Sequence, residues 1–345
     1  MKKNFIKITA LLGLTVLGLS LGGCSKTTSN SSSKKAPSLA LFIPGIMADS
    51  PIYANLAKGV QEAVDIWNKD KSDSEKADLY IMEAGTNQAE WATKLTSLTA
   101  AMKYDVIISS NPSLPEYAEP LTAQFPEQKY IFLDAACEGN NNISATSYNQ
   151  KEQSYLSGYI AGLMSKSHKV GLVAAQEYPV MNNILYPYYA KGAEDAYAGT
   201  SCDFRIVGNW YDASKGAEIT DALVQAGVDV ILPICGGASQ GVISSAVENK
   251  IYINWFDENG FSKAPGTIIS SCMAKQQDAA REVTLEYLNG HTPWGNTKVV
   301  GFMEGYVEFI ENDPLYISTV PENVRKQLSD LISSLKEGTF KVPEI

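Results

Sequence analysis

Between Ser38 and Leu288, short β-branched or apolar runs alternate with amphipathic stretches of helical period, and the alternation runs through twice. Ser38–Pro44, Ala77–Glu83, Asp105–Ser109 and Lys129–Asp134 read as strands, separated by helices over Tyr53–Asn68, Gln88–Met102 and Leu114–Phe125. The second set has strands Val170–Ala174, Phe204–Trp210, Val228–Pro233 and Tyr252–Phe256, with helices over Glu152–Ser165, Met181–Tyr197, Ser214–Gln225 and Gly241–Glu248. Strands joined by helices pair in parallel, because a parallel pair needs a crossover long enough to return the chain to the same sheet edge. Two such sets predict an α/β chain of two similar lobes with helix-flanked parallel sheets.

After the second set come a strand over Thr267–Cys272, a helix over Gln277–Leu288, a strand over Val299–Met303 and a last helix over Pro321–Lys336 with Pro321 at its first position. The chain is therefore expected to cross between lobes three times. The expected partition gives residues 38–147 with 260–298 to the first lobe and 148–259 with 299–345 to the second.

Ligands of open α/β sheets bind outside the carboxyl ends of the strands. The candidates at those ends are Asp49, Ser50 and Tyr53, then Asn111, Asp134, Gly236 and Gly237, Asp257, and Lys275. Two facing lobes would make one cleft from two such edges.

The first residues have a different character. Lys2, Lys3 and Lys7 precede an apolar stretch from Ile8 to Leu21 that ends in Leu21-Gly22-Gly23-Cys24. The stretch falls short of the ~20 apolar residues of a membrane span. It reads as a signal peptide, residues 1–23, cut before a Cys24 that carries lipid. Residues 24–37 are rich in Ser, Thr, Asn and Lys and read as a flexible tether, which holds the protein on the extracytoplasmic side of a membrane without spanning it.

The net charge of -10 makes nucleic acid an unsuitable partner, and loss of the leader's lysines makes the chain more acidic still. Beyond Cys24 there are Cys137, Cys202, Cys235 and Cys272, with no C-x-x-C spacing, and His168 and His291 are the histidines. This inventory supports no metal site and no cofactor. A monomer is expected.

Tyr155-Leu156-Ser157-Gly158-Tyr159-Ile160-Ala161-Gly162-Leu163-Met164, followed by Lys169-Val170-Gly171-Leu172-Val173, resembles the central signature of the basic membrane protein family. The resemblance continues through Gly227-Val228-Asp229-Val230-Ile231, Cys235-Gly236-Gly237-Ala238-Ser239-Gln240-Gly241-Val242 and Phe256-Asp257. It implies a periplasmic-binding-protein-like fold of type I and a substrate-binding lipoprotein that delivers a nucleoside, or a related ribosylated molecule, to an ABC permease. It also implies a carboxylate at Asp257 and an ammonium at Lys275 on the ribose hydroxyls, and a stacking ring at Tyr189, three residues before Gly192, with Tyr186 and Tyr188 as near competitors. A carboxylate and an ammonium facing a vicinal diol make charge-assisted hydrogen bonds, so that pairing is chemically sound. Departures from the family pattern fall at Ser50-Pro51-Ile52-Tyr53, where the first stacking ring is either displaced to Tyr53 or missing, and at Ser109-Ser110-Asn111-Pro112. Trp91 and Trp255 are further large rings that either line the cleft or pack in the core.

Two other functions share these residues. A sugar-binding or sensory lipoprotein would use the same cleft. A glycosidase would need paired acids, for which Asp49, Asp134 and Asp257 are candidates, but the sequence has no H-E-x-x-H or Walker A motif, and neither histidine falls at an expected cleft-facing strand end. A binding protein, not an enzyme, is the expectation.

Overall fold

The computed structural model describes residues 35–345 apart from Asp257, and at Asp49 the backbone alone. The leader, Cys24 and nearly all of the tether lie outside the described residues, and Ala36–Ile345 forms a compact unit by itself. Along the chain the strands are β1 (Ser38–Ile43), β2 (Asp78–Glu83), β3 (Val106–Ser110), β4 (Lys129–Leu133), β5 (Ile143–Tyr148), β6 (Lys169–Ala174), β7 (Ser201–Ile206), β8 (Val230–Ile234), β9 (Tyr252–Phe256), β10 (Ile268–Ala274), β11 (Thr297–Val300) and β12 (Val307–Phe309). They form two sheets, β2-β1-β3-β4-β5-β11 and β7-β6-β8-β9-β10-β12. β10 with β12 is antiparallel, whereas pairs such as β1 with β3 and β6 with β8 are parallel. Every residue of β3 is buried, as is all of β1 beyond Ser38, which a parallel sheet covered on both faces requires.

Both sheets repeat one order in which the first strand of the set lies between the second and the third. Crossover helices leave that strand and its third-strand neighbour toward opposite faces, which opens a crevice at their carboxyl ends. The crevices lie between β1 and β3 in one lobe and between β6 and β8 in the other.

The two-lobed, helix-flanked parallel architecture agrees with the sequence reading, and so do three crossings. The chain passes between the sheets at Asn149, at Lys275, and through residues 301–306. The partition needs correction, because residues 260–298 do not stay together: β10 joins the second sheet beside β9, whereas β11 joins the first beside β5. A buried apolar strand carries no mark of which sheet receives it. β5 itself, Ile143-Ser144-Ala145-Thr146-Ser147-Tyr148, has no apolar run, yet it is buried at every position but Ser147. β7 starts earlier than expected and stops at Ile206, where Gly208 at φ 89° turns the chain away. Pro321 caps the last helix from outside, and the helix runs over Glu322–Lys336.

The family signature is a packing element. In the Gln150–Met164 helix nearly every residue from Gln153 to Gly162 is buried, against the second sheet and the Tyr186–Ala196 helix. A Cβ on Gly158 would stand 2.0 Å from the Tyr189 carbonyl oxygen, and one on Gly192 would stand 2.1 Å from that of Tyr155. The two helices thus meet backbone to backbone through reciprocal glycines. Gly158→Ala is expected to destabilise the fold by roughly 1–3 kcal/mol, the usual cost of overpacking a tight core. Urea unfolding checks it, and a parental midpoint would mean that the helices separate at little cost.

Candidate ligand-binding cleft

A cavity of ≈170 Å³ lies between the carboxyl ends of the two sheets. Its wall on the first lobe is built by Ser50 to Tyr53 after β1, by Ser110, Asn111 and Pro112 after β3, and by Asp134 after β4. The facing wall has Trp210 and Tyr211 after β7, Cys235, Gly236, Gly237, Ser239 and Gln240 after β8, and Trp255, Phe256, Glu258 and Lys263 around the end of β9. The volume is below the ~300–1,000 Å³ of drug-sized pockets, which suits a compact ligand of one or two rings.

Ser50 ends the β1 loop in extended backbone, and Pro51 starts the Pro51–Asn68 helix, which carries Tyr53 in its first turn. Asn111 donates through Nδ2 to Oη of Tyr53 at 3.2 Å and accepts from the Ser113 N–H at 2.9 Å, so the β3 loop holds the phenol in place. Burial, and next the neighbouring Tyr211, push the Tyr53 phenol far above its usual range, so it stays a neutral hydroxyl. Asp134 sits at φ 49° and accepts from Nε2 of Gln150 at 2.7 Å. Tyr211 reaches across from the second lobe onto bare backbone: a Cβ on Gly45 would stand 2.2 Å from its Oη and 2.9 Å from the Tyr53 ring.

The described charges of the wall are two acids, Asp134 and Glu258, and one base, Lys263. Lys263 pairs with Glu258 at 2.9 Å, and its ammonium lies 5.3 Å from the centre of the Trp255 ring. The indole N–H groups of Trp210 and Trp255 are buried and find no acceptor among the described residues, which leaves two donors beside the cavity. Burial pushes the Cys235 thiol up to about 12, so it is protonated near neutral pH and unsuited to nucleophilic attack. No cluster of three or more metal-binding side chains occurs among the described residues.

A family model described as "ABC transporter substrate-binding protein PnrA-like" matches residues 36–338. The chain belongs to the Bmp family. Basic membrane protein A of Borreliella afzelii is 25% identical to it over 313 residues, which covers 89% of this chain and 91% of that protein. The ABC transporter nucleoside-binding protein BmpA of Lactococcus lactis is 24% identical over 247 residues, 71% of this chain and 69% of that one. The solved ABC transporter solute-binding protein of Aeropyrum pernix K1 superposes with a TM-score of 0.72 at 18% identity, covering 90% and 94% of the two chains, a likeness of fold.

In this Bmp chain Ser50, Tyr53, Asn111, Asp134, Gly236 and Gly237 come together on the cavity wall. Asp257 lies outside the described residues, between the lining residues Phe256 and Glu258, and nothing is described of the Asp49 side chain. Two expected contacts are placed elsewhere. Tyr189 is fully buried and donates from Oη to Asn254 Oδ1 at 3.1 Å, so its ring belongs to the core. Lys275 is the N-cap of the Gln276–Leu288 helix and pairs with Glu308 of β12 at 3.0 Å, away from the cavity. Of the two expected tryptophans Trp255 lines the cleft, whereas Trp91 is buried and donates to the Gly85 carbonyl at 2.8 Å.

The sequence reading missed Trp210, Tyr211, Glu258 and Lys263. The turn signal Gly208-Asn209 would have ended β7 before Trp210 and exposed the first two as strand-end residues.

The crossings between the lobes hold a pair of acids, Glu152 and Glu304. The Asn149 N–H donates to Val300 O at 2.7 Å, Lys275 N–H to Tyr306 O at 2.9 Å, and Tyr306 N–H to Gly301 O at 3.0 Å. Glu152 accepts from the Phe302 N–H at 3.4 Å and Glu304 from the Gly301 N–H at 2.8 Å. Burial first, and the Glu304 charge in addition, raise the Glu152 carboxyl above its usual range against the opposing effect of the Phe302 N–H. An acid raised in the folded state favours folding when protonated, so this contribution is present at low pH and lost as pH rises through the folded value. Glu152→Gln keeps the acceptor for Phe302 and removes the charge. It is expected to raise Tm at about pH 8, with the gain over the parent shrinking toward about pH 4 as the parent protonates. Thermal unfolding across that range checks it; a loss of Tm at the alkaline end would contradict the sign.

Proposed function

We propose that the chain is the lipid-anchored receptor of an ABC importer and that it closes on a nucleoside or a related ribosylated small molecule. One observation carries the ligand class: a compact inter-lobe cavity combines the rings of Tyr53, Trp210, Tyr211 and Trp255 with a few polar side chains. Aromatic faces suit a flat base. Asn111, Asp134, Glu258 and Lys263 supply both donors and acceptors, as hydroxyl groups need. Among the described charges of the wall, Asp134 and Glu258 outweigh Lys263, which disfavours phosphorylated ligands. The Lactococcus lactis relative, named a nucleoside-binding protein, supports the same class.

In this reading Tyr53 and the tryptophans contact the base, while Gly236 and Gly237 let backbone approach the ligand. Ser50, Asn111 and Asp134 accept or donate at its polar edge. The family resemblance adds Asp257 to the acceptors. The protonated Cys235 and a described wall that offers Ser239 no histidine as a base favour binding over chemistry. The permease partner follows from the family, and the membrane attachment from Leu21-Gly22-Gly23-Cys24 after its basic, apolar leader.

Titration with matched ribo- and 2′-deoxyribonucleosides, nucleotides, free bases and plain sugars tests the ligand class. Ribonucleosides are expected to bind best, with a loss of about 1–3 kcal/mol for the 2′-deoxy form, since a missing hydroxyl leaves buried polar groups unpaired. Tight binding of a hexose or pentose with no nucleoside response would replace this reading with the sugar-binding one.

The anchor has its own test. Cys24→Ala is expected to release the protein from the membrane fraction of expressing cells after an alkaline wash, whereas retention equal to the parent's would refute lipidation at that cysteine.

A further inference from the structure

At the rim of the cleft one side chain joins the lobes. Gln176 follows β6, in the crevice of the second sheet, and is half-buried. Its Oε1 accepts from Nε2 of Gln88 at 2.9 Å, and its Nε2 donates to Oγ of Ser113 at 3.1 Å. Gln88 lies in a short helical turn after β2, and Ser113 caps the Leu114–Gln124 helix, so both partners belong to the first lobe. None of the three lines the cavity. The contact nevertheless continues into the wall, because the Ser113 N–H holds Asn111, and Asn111 holds the Tyr53 phenol.

We propose that Gln176 is a latch, a positioning residue that sets how firmly the lobes close and that steadies the Asn111–Tyr53 edge without touching the ligand. The donor and the acceptor of one amide are both used across the rim. These bonds exist only while the lobes are together, and on opening all four polar groups return to water. Their net free energy adds to closure whatever the cleft contains, so it multiplies the affinity for every ligand by a common factor. A variant of a cavity residue does the opposite and changes the ranking of ligands.

The inference rests on the reading of the cleft as a closing ligand site. Its test uses the Ala36–Ile345 unit, with the parent, Gln176→Ala and Gln88→Ala titrated with those nucleosides and sugars that the parent binds. Gln176→Ala is expected to weaken all of them by one factor, roughly 5- to 150-fold for two neutral hydrogen bonds, mostly through faster release. Gln88→Ala, a change at a half-buried turn position that removes one of the two bonds, should give a smaller loss of the same kind, and it carries the test if the first variant does not fold. Small-angle scattering of the ligand-free unit should show a larger radius of gyration for Gln176→Ala. Parental affinity in both variants, or losses that reorder the ligands, would overturn the latch. If the parent binds neither nucleosides nor sugars, the ligand reading fails, and scattering alone decides: an unchanged radius of gyration overturns the latch, and an expanded one supports it.

Discussion

The chain passes between its two sheets three times, and the three passages are tied to one another by backbone hydrogen bonds from Asn149 to Val300, from Lys275 to Tyr306 and from Tyr306 to Gly301. Such a ribbon leaves each lobe free to pack its own sheet while limiting how one lobe can turn against the other. The crevices of the two sheets therefore face each other in a reproducible way. Strand order then decides which residues meet: the segments after β1, β3 and β4 on one side, and those after β7, β8 and β9 on the other. Neither set alone encloses a ligand.

Much of this was legible because it depends on periodicity. Alternating apolar strands and amphipathic helices led to two parallel sheets and three crossings, while the ordered motifs from Tyr155 to Asp257 carried the Bmp resemblance. The exceptions share a cause. β5 is buried yet built largely from Ser, Thr and Ala, so hydropathy did not mark it, and the choice of sheet for β10 and β11 is a long-range matter that no local pattern encodes.

At the site, residues chosen for their place at a strand end, such as Tyr53, Asn111 and Gly236, lie on the cavity wall, because topology fixes where strand ends go. Residues chosen by spacing within a family motif fared differently. Tyr189 stands three residues before a glycine whose missing side chain lets two helices touch, so that spacing serves the core. Lys275 is at a strand end as well, but at a crossing, where Glu308 engages it. The cation on the wall is Lys263, which a short helical turn brings back over Trp255 and which no strand-end rule anticipates.

The rings of the cleft have a practical consequence. Of the five tryptophans in the chain, Trp210 and Trp255 border the cavity with their indole N–H groups unengaged by the described residues, while Trp91 lies in the core. An indole that gains a hydrogen-bond acceptor and loses contact with water changes its emission. If the proposed site fills, Trp210 and Trp255 are a label-free optical reporter of occupancy on the side of the cleft opposite the Asn111–Tyr53 edge.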